Sequence, residues 1–100
     1  MIEKLDDARL AQELTTLDGW AVKAGKLHRE YRFTDFVSAW SFMSAVALVA
    51  ERMNHHPEWF NVYHTVRVDL TTHDAGGISM LDVELAKLMN QLAQSQTHSS

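Results

Sequence analysis

Residues 34–53 read TDFVSAWSFMSAVALVAERM and predict the central helix of the fold. Thr34 is a suitable N-cap, and Asp35 favours the positive end of a helix dipole. The apolar side chains form two adjacent stripes at helical spacing: Phe36, Trp40, Met43, Ala47 and Ala50, and Phe42, Val46, Val49 and Met53. The two stripes cover about half of the circumference, more than the roughly 100° of a one-sided helix. We therefore expect either a helix buried in its own core or one stripe in contact with another protomer.

A pair of strands is predicted on each side of this helix. Upstream, residues 20–23 and 27–33 flank an Ala-Gly-Lys turn, which is typical of a hairpin. Downstream, Pro57 prevents the helix from continuing far. Residues 58–63 then read as a short strand, and residues 64–72 alternate between apolar and polar side chains, as in a strand with one buried face.

Two further helices complete the chain. Leucines at helical spacing predict a first helix at about residues 6–15. Ser79, with Asp82 three residues later, has the capping-box pattern of a helix start, and leucines then recur at spacings of four, three and four. The order α-β-β-α-β-β-α predicts an α+β fold, in which three helices pack on one face of a four-stranded antiparallel sheet. We expect one domain over residues 1–100, with a frayed polar tail at residues 94–100.

Composition narrows the functional class. The chain has 100 residues, of which 46% are hydrophobic and 22% charged, with a formal net charge of −4 and no cysteine. These values are typical of a globular protein and exclude a disulfide scaffold, a thiolate metal site and a cysteine nucleophile. No overall positive charge favours direct binding of nucleic acid. The longest apolar run, residues 45–50, is too short to cross a membrane, so we expect a cytoplasmic protein.

Histidine is the most unusual component. Four of the six histidines, His55, His56, His64 and His73, lie within nineteen residues. His55 and His56 precede Pro57 in a connection where Gly, Asn or Asp is more common. Imidazole, with a reference pKa near 6.5, can give or take a proton at neutral pH.

Three interpretations of these histidines compete. Zinc can bind three histidines, but adjacent histidines rarely converge on one ion, so this is the least favoured. The second is acid–base catalysis with His55 or His56 facing His73, and the third is a set of structural histidines. Asp82 is first of all a helix cap, and a functional role requires it to lie near His73, which the short loop before Ser79 permits.

A resemblance decides among these interpretations. Residues 54–63, NHHPEWFNVY, followed by Thr72-His73-Asp74 and by Ser79 with Asp82, resemble the pterin-4a-carbinolamine dehydratase family over nearly the whole chain. The resemblance implies a hydro-lyase that converts 4a-hydroxytetrahydropterin into quinonoid dihydropterin without metal or organic cofactor. The substrate arises when aromatic amino-acid hydroxylases use tetrahydropterin. The resemblance also implies a homodimer or homotetramer. Because an animal member is also a dimerisation cofactor for a homeodomain transcription factor, a non-catalytic binding module is the alternative.

The resemblance also carries over site residues. It implies catalytic histidines at His55, His56 and His73. The implied substrate-binding residues are His55, His56, Pro57, Thr72, His73, Asp74 and Ala75, with Trp20 as a further candidate. We expect His56 and His73 to form the acid–base pair, His55 to be a positioning group, and Asp82 to support the site by orienting His73.

Overall fold

The computed structural model describes residues 2–97 and contains one open antiparallel sheet with three helices. The elements in chain order are α1 (Asp7–Leu14), β1 (Ala21–Lys23), β2 (Lys26–Arg32), α2 (Phe36–Met53), β3 (Glu58–Val62), β4 (Thr65–Leu70) and α3 (Met80–Thr97). The strand order is β1-β2-β4-β3, and every neighbouring pair is antiparallel. The predicted α+β class and the order α-β-β-α-β-β-α are confirmed.

One face of the sheet carries the core. Along β4, the buried Val66, Val68 and Leu70 alternate with the half-buried or exposed side chains of the other face. The core-facing side chains of β2, β4, α2 and α3 include Leu27, Tyr31, Val68, Phe42, Val46, Val83, Leu85 and Met89. The three helices therefore cover one face, as predicted. The other sheet face is mainly polar, with Phe60 and Val62 of β3 exposed on it.

The ends of α2 are set by two short polar residues. Asp35 is the N-cap, because its carboxylate accepts a hydrogen bond from the backbone N–H of Ser38 at 2.7 Å. That bond lowers the pKa of Asp35. The prediction of Thr34 as the N-cap is wrong by one residue, and Asp is as good a cap as Thr. At the other end, Asn54 adopts a left-handed conformation with φ 52° and ends the helix.

The two apolar stripes of α2 have different surroundings. Phe42 and Val46 of the second stripe are fully buried, whereas Phe36 and Trp40 of the first stripe are exposed. Helix α2 is 18 residues long and has a mean hydropathy of 1.2, so by length and composition it is also a candidate membrane span. Of this helix 22% is buried, and its buried side chains, which include Phe42 and Val46, belong to the protein core. The cytoplasmic location stays a prediction.

Helix α3 extends further than expected from the polar composition of its end. It continues through Thr97, so residues 94–97 of the predicted tail are helical. The rest of that segment, including His98, lies outside the described residues.

The hairpin between β1 and β2 contains a strained alanine. Lys23 pairs with Lys26, so the loop has two residues, Ala24 with φ 52° and Gly25 with φ 77°. Positive φ at both positions is the type I′ turn, for which Asn-Gly is preferred. Ala24→Asn is expected to raise the free energy of unfolding by about 0.5–1 kcal/mol, because a left-handed conformation costs other L-residues about 1–2 kcal/mol. Thermal unfolding should show a Tm higher by a few degrees, and an unchanged or lower Tm would contradict the assignment.

Candidate active site

A pocket of about 360 Å³ lies where the end of α2, the end of β4 and the start of α3 meet. It brings His55, His56 and His73 together. Its lining residues are Ile2, Asn54, His55, His56, Thr71, Thr72, His73, Asp74 and Leu81.

Two short connections place the histidines. After α2, the N–H groups of Asn54 and His55 both donate to carbonyls in the last turn of the helix, so that His55 follows the helix end directly. After β4, Thr72 and Gly77 exchange two backbone hydrogen bonds of 2.9 and 3.2 Å. These bonds close a tight loop, which begins with a 3-10 turn at His73–Ala75. Hydrogen bonds within the backbone therefore hold both connections at the pocket.

A buried carboxylate orients His55. Asp82 is fully buried, and its Oδ1 lies 2.5 Å from His55 Nε2, whose side chain is 10% exposed. Oδ2 of Asp82 accepts from Thr72 Oγ1 at 2.8 Å and from the Ser79 backbone N–H at 2.9 Å. Since a carboxylate only accepts hydrogen bonds, Nε2 of His55 carries a hydrogen and Nδ1 remains for other partners.

The second ring nitrogen of His55, Nδ1, is accessible. Nδ1 of His55 makes no hydrogen bond within residues 2–97. Every fully buried side-chain nitrogen or oxygen of these residues has a hydrogen-bond partner, so Nδ1 is not fully buried. Nδ1 is therefore accessible, and His55 lines the pocket. A fixed ring with one accessible nitrogen is well suited to proton transfer.

The predicted contact between Asp82 and His73 is wrong. His73 begins the 3-10 turn with its side chain 83% exposed, whereas Asp82 points inwards below that loop. Asp82 supports the site, but through His55.

His56 and His73 lie at the rim of the pocket. His56 is 58% exposed, and its Nε2 is 2.8 Å from Glu51 Oε1. Nε2 of His73 is 3.6 Å from Glu58 Oε2. The pocket therefore combines one buried, rigidly held imidazole with two exposed ones.

The remaining candidates lie in three different places. Thr72 and Asp74 line the pocket, whereas Pro57 and Ala75 adjoin it in the chain without lining it. Trp20 lies elsewhere: it is buried in the core, and its Nε1 donates to Asn90 of α3 at 3.0 Å. Asn90 is eight residues beyond Asp82, about 12 Å along a helix, so the structure does not place Trp20 at this site.

Sequence reasoning missed the carboxylates at the rim. Glu51 precedes His56 by five residues, and Glu58 follows Pro57 directly, so each is close in the chain to the histidine pair. Proximity in sequence could have identified these two carboxylates as candidates, but it does not show which histidine each carboxylate contacts. Among residues 2–97, no group of three His, Asp or Glu side chains is arranged as a set of metal ligands.

Comparisons with known proteins give one consistent result. The family model described as Pterin 4 alpha carbinolamine dehydratase matches residues 3–92. A protein of Solibacter usitatus, provisionally named a pterin-4-alpha-carbinolamine dehydratase, is 53% identical over 93 residues, which cover 93% of this chain and 98% of the relative. A protein of Jannaschia sp. with the same provisional name is 51% identical over 98 residues, which cover 94% of this chain and 100% of the relative.

Solved structures agree on the fold. A crystal structure from Brucella melitensis, called a transcriptional coactivator/pterin dehydratase, superimposes with a TM-score of 0.88 at 41% identity. The match covers 91% of this chain and 99% of that one. A pterin dehydratase-like protein identified as a RuBisCO assembly factor in the alpha-carboxysome has a TM-score of 0.62 at 20% identity and shares the fold alone.

Proposed function

Because the chain belongs to the pterin-4-alpha-carbinolamine dehydratase family of hydro-lyases, we propose that it converts 4a-hydroxytetrahydropterin into quinonoid dihydropterin and water. In this proposal it recycles the pterin that aromatic amino-acid hydroxylases release. The observation that carries the proposal is the pocket in which buried Asp82 holds His55 beside His56 and His73.

The reaction requires one acid and one base. The bond between C4a and its hydroxyl oxygen breaks, and hydroxide is a poor leaving group unless the acid protonates it. The base removes the proton from N5, and the electron pair of that N–H bond forms the double bond between N5 and C4a. One proton is given and one is taken, so the two catalytic groups exchange protonation states over a turnover.

The geometry supports His55 and His73 as this pair. The sequence favours His56 with His73, but His55 is the ring that Asp82 holds in a fixed orientation with Nδ1 accessible. His73 lies at the rim of the same pocket and is free to meet the substrate. In this assignment His56, paired with Glu51, contacts the substrate without transferring a proton.

The loop after β4 supplies hydrogen-bond donors for the pterin. The N–H groups of Thr72 and Ala75 are used within the loop, by Gly77 and Thr72 respectively. In the described chain, the N–H groups of His73 and Asp74 have no such partner. We assign these two groups to the carbonyl oxygen of the pterin ring.

Dehydration by the wild-type protein tests the function. Freshly generated 4a-hydroxytetrahydropterin would be mixed with purified protein, and quinonoid dihydropterin followed by absorbance. We expect product to form faster in proportion to protein concentration. If folded protein leaves the spontaneous rate unchanged, the dehydratase proposal fails and the binding-module alternative takes its place.

The exposed face of α2 favours self-association. Phe36, Val37, Trp40 and Leu48 are large, apolar and exposed on one helix. The rings of Phe36 and Trp40 lie 6.0 Å apart, and large exposed apolar patches mark interfaces. We propose that it packs against another copy of the chain in a homodimer or homotetramer.

Trp40→Glu tests the assembly, because it places a charge in the proposed interface. We expect light scattering to show a multiple of the chain mass for wild type and a smaller multiple for Trp40→Glu. Glu3→Gln, at an exposed residue distant in the chain from α2, serves as the control. A wild type that is monomeric at micromolar concentration would contradict this proposal without affecting the dehydratase proposal.

A further inference from the structure

Glu58 connects the active-site pocket to the polar face of the sheet. Its Oε2 is 3.6 Å from His73 Nε2, and its Oε1 is 2.6 Å from Lys26 Nζ. As the first residue of β3 it directly follows the His-His-Pro turn. It also pairs with Asp69 of β4, four residues before His73. The strand register thus places this carboxylate beside His73.

His73 otherwise lacks a fixed position. Its side chain is 83% exposed at the first residue of a 3-10 turn. Within residues 2–97, Glu58 is the side chain with which it forms an ion pair or hydrogen bond. His55, by contrast, is nearly buried and held by Asp82. A proton-transfer group works best when its ring is already oriented towards the reacting atom.

We propose that Glu58 is the positioning residue of His73, as Asp82 is of His55. This inference rests on the proposed function. The carboxylate attracts the His73 ring and limits its rotation, so that its second nitrogen faces the pocket. Lys26 contacts the other oxygen of the same carboxylate, Oε1, at 2.6 Å.

The expected effect is on the rate and not on stability. Glu58 is 45% exposed in its side chain, and Lys26 36%, and exposed ion pairs add little to folding stability. Glu58→Gln keeps the shape and removes the charge. We expect kcat to fall about 3- to 10-fold, a modest share of the 10²- to 10⁴-fold that a proton-transfer group supplies, with KM and Tm nearly unchanged.

A double-mutant cycle with His73 separates positioning from general structure. Glu58→Gln should lower kcat in the wild-type background and have no further effect in the His73→Ala background. An equal loss in both backgrounds, or no loss in wild type, would overturn the proposal. Glu30→Gln is the matched control, because it makes the same charge change on the same sheet face, where Glu30 pairs with Arg32.

Lys26→Met tests the other partner of the carboxylate. It leaves Oε2 of Glu58 beside His73, so kcat should stay at or above the wild-type value. A loss equal to that of Glu58→Gln would assign the effect to the Lys26–Glu58 pair and overturn the proposal.

A measurement that does not depend on catalytic turnover distinguishes this inference from the proposed function. In a proton–carbon NMR spectrum, Glu58→Gln should shift the imidazole signals of His73 and leave those of His64 in place. Signals of His73 that do not move would overturn the inference even in an active enzyme. A shift in a protein without dehydratase activity would leave the contact intact and refute the proposed function.

Discussion

Replacing His55 by alanine is expected to lower kcat/KM by about 10²- to 10⁴-fold, the range for loss of a general acid or base. The expectation follows from the geometry: His55 is the imidazole that a buried carboxylate orients, at 2.5 Å, in the pocket. Asp82→Asn should lower kcat/KM by at least about 10-fold, because an amide binds Nε2 of His55 less strongly than a carboxylate does. Initial rates with saturating and limiting substrate measure both effects.

The effects of His55→Ala and Asp82→Asn on kcat/KM should not be additive. If Asp82 acts through His55, Asp82→Asn has little further effect once His55 is alanine. His64→Ala is the matched control, because His64 stacks on Tyr63 at 4.2 Å and does not line the pocket. A His55→Ala variant that keeps more than a third of the wild-type activity would remove His55 from the proton-transfer pair.

Asn90→Leu is expected to lower the free energy of unfolding by about 2–4 kcal/mol. Oδ1 of Asn90 accepts from Trp20 Nε1 (3.0 Å), Arg29 Nη1 (2.6 Å) and Tyr31 Oη (2.5 Å), and Nδ2 donates to the Asp18 carbonyl (3.1 Å). Burial raises the pKa of Tyr31 to about 12, so its hydroxyl remains a donor at neutral pH. Leucine has a similar size and leaves the buried donors of Trp20 and Tyr31 unpaired, at about 1–3 kcal/mol for each buried group. Arg29 keeps its second acceptor, the Asp18 carbonyl.

Thermal unfolding measures the loss. For a domain of this size, 1 kcal/mol corresponds to about 4–8 °C in Tm, so the expected decrease is at least about 8 °C. Gln91→Leu, at the exposed neighbouring residue of α3, controls for adding an apolar side chain to this helix. Equal Tm values for the two variants would show that Asn90 does not connect α3 to β2 and to the segment before β1.

Much of the fold is predictable because the spacing of apolar side chains along the sequence agrees with the faces that are buried in the structure. The alternation in residues 64–72 predicts which face of β4 is buried, and Val66, Val68 and Leu70 are buried as expected. The N-cap of α2 was misplaced because Thr34 and Asp35 are both good caps, and local preference does not choose between neighbours. The sequence also does not predict whether the first α2 stripe is buried, because periodicity shows that the side chains share a face but not what covers that face.

The site is predictable as a set of segments and not as a set of contacts. The sequence indicated that the turn with His55 and His56 meets the loop with His73, and the pocket contains all three. It also suggested that Asp82 meets His73, which is closer in the chain. The carboxylate instead meets His55, because the helix start points Asp82 into the core while the 3-10 turn directs His73 outwards. The direction in which each of these side chains points depends on tertiary packing.

The most direct test of the site compares two double variants in the dehydration assay. His55→Ala combined with His73→Ala removes the proposed acid–base pair, whereas His28→Ala combined with His64→Ala removes two imidazoles that do not line the pocket. We predict that the first pair reduces the rate of quinonoid dihydropterin formation to near the spontaneous rate, and that the second pair retains most of the wild-type rate. Equal rates for the two double variants, both folded, would contradict the assignment of dehydration to this pocket.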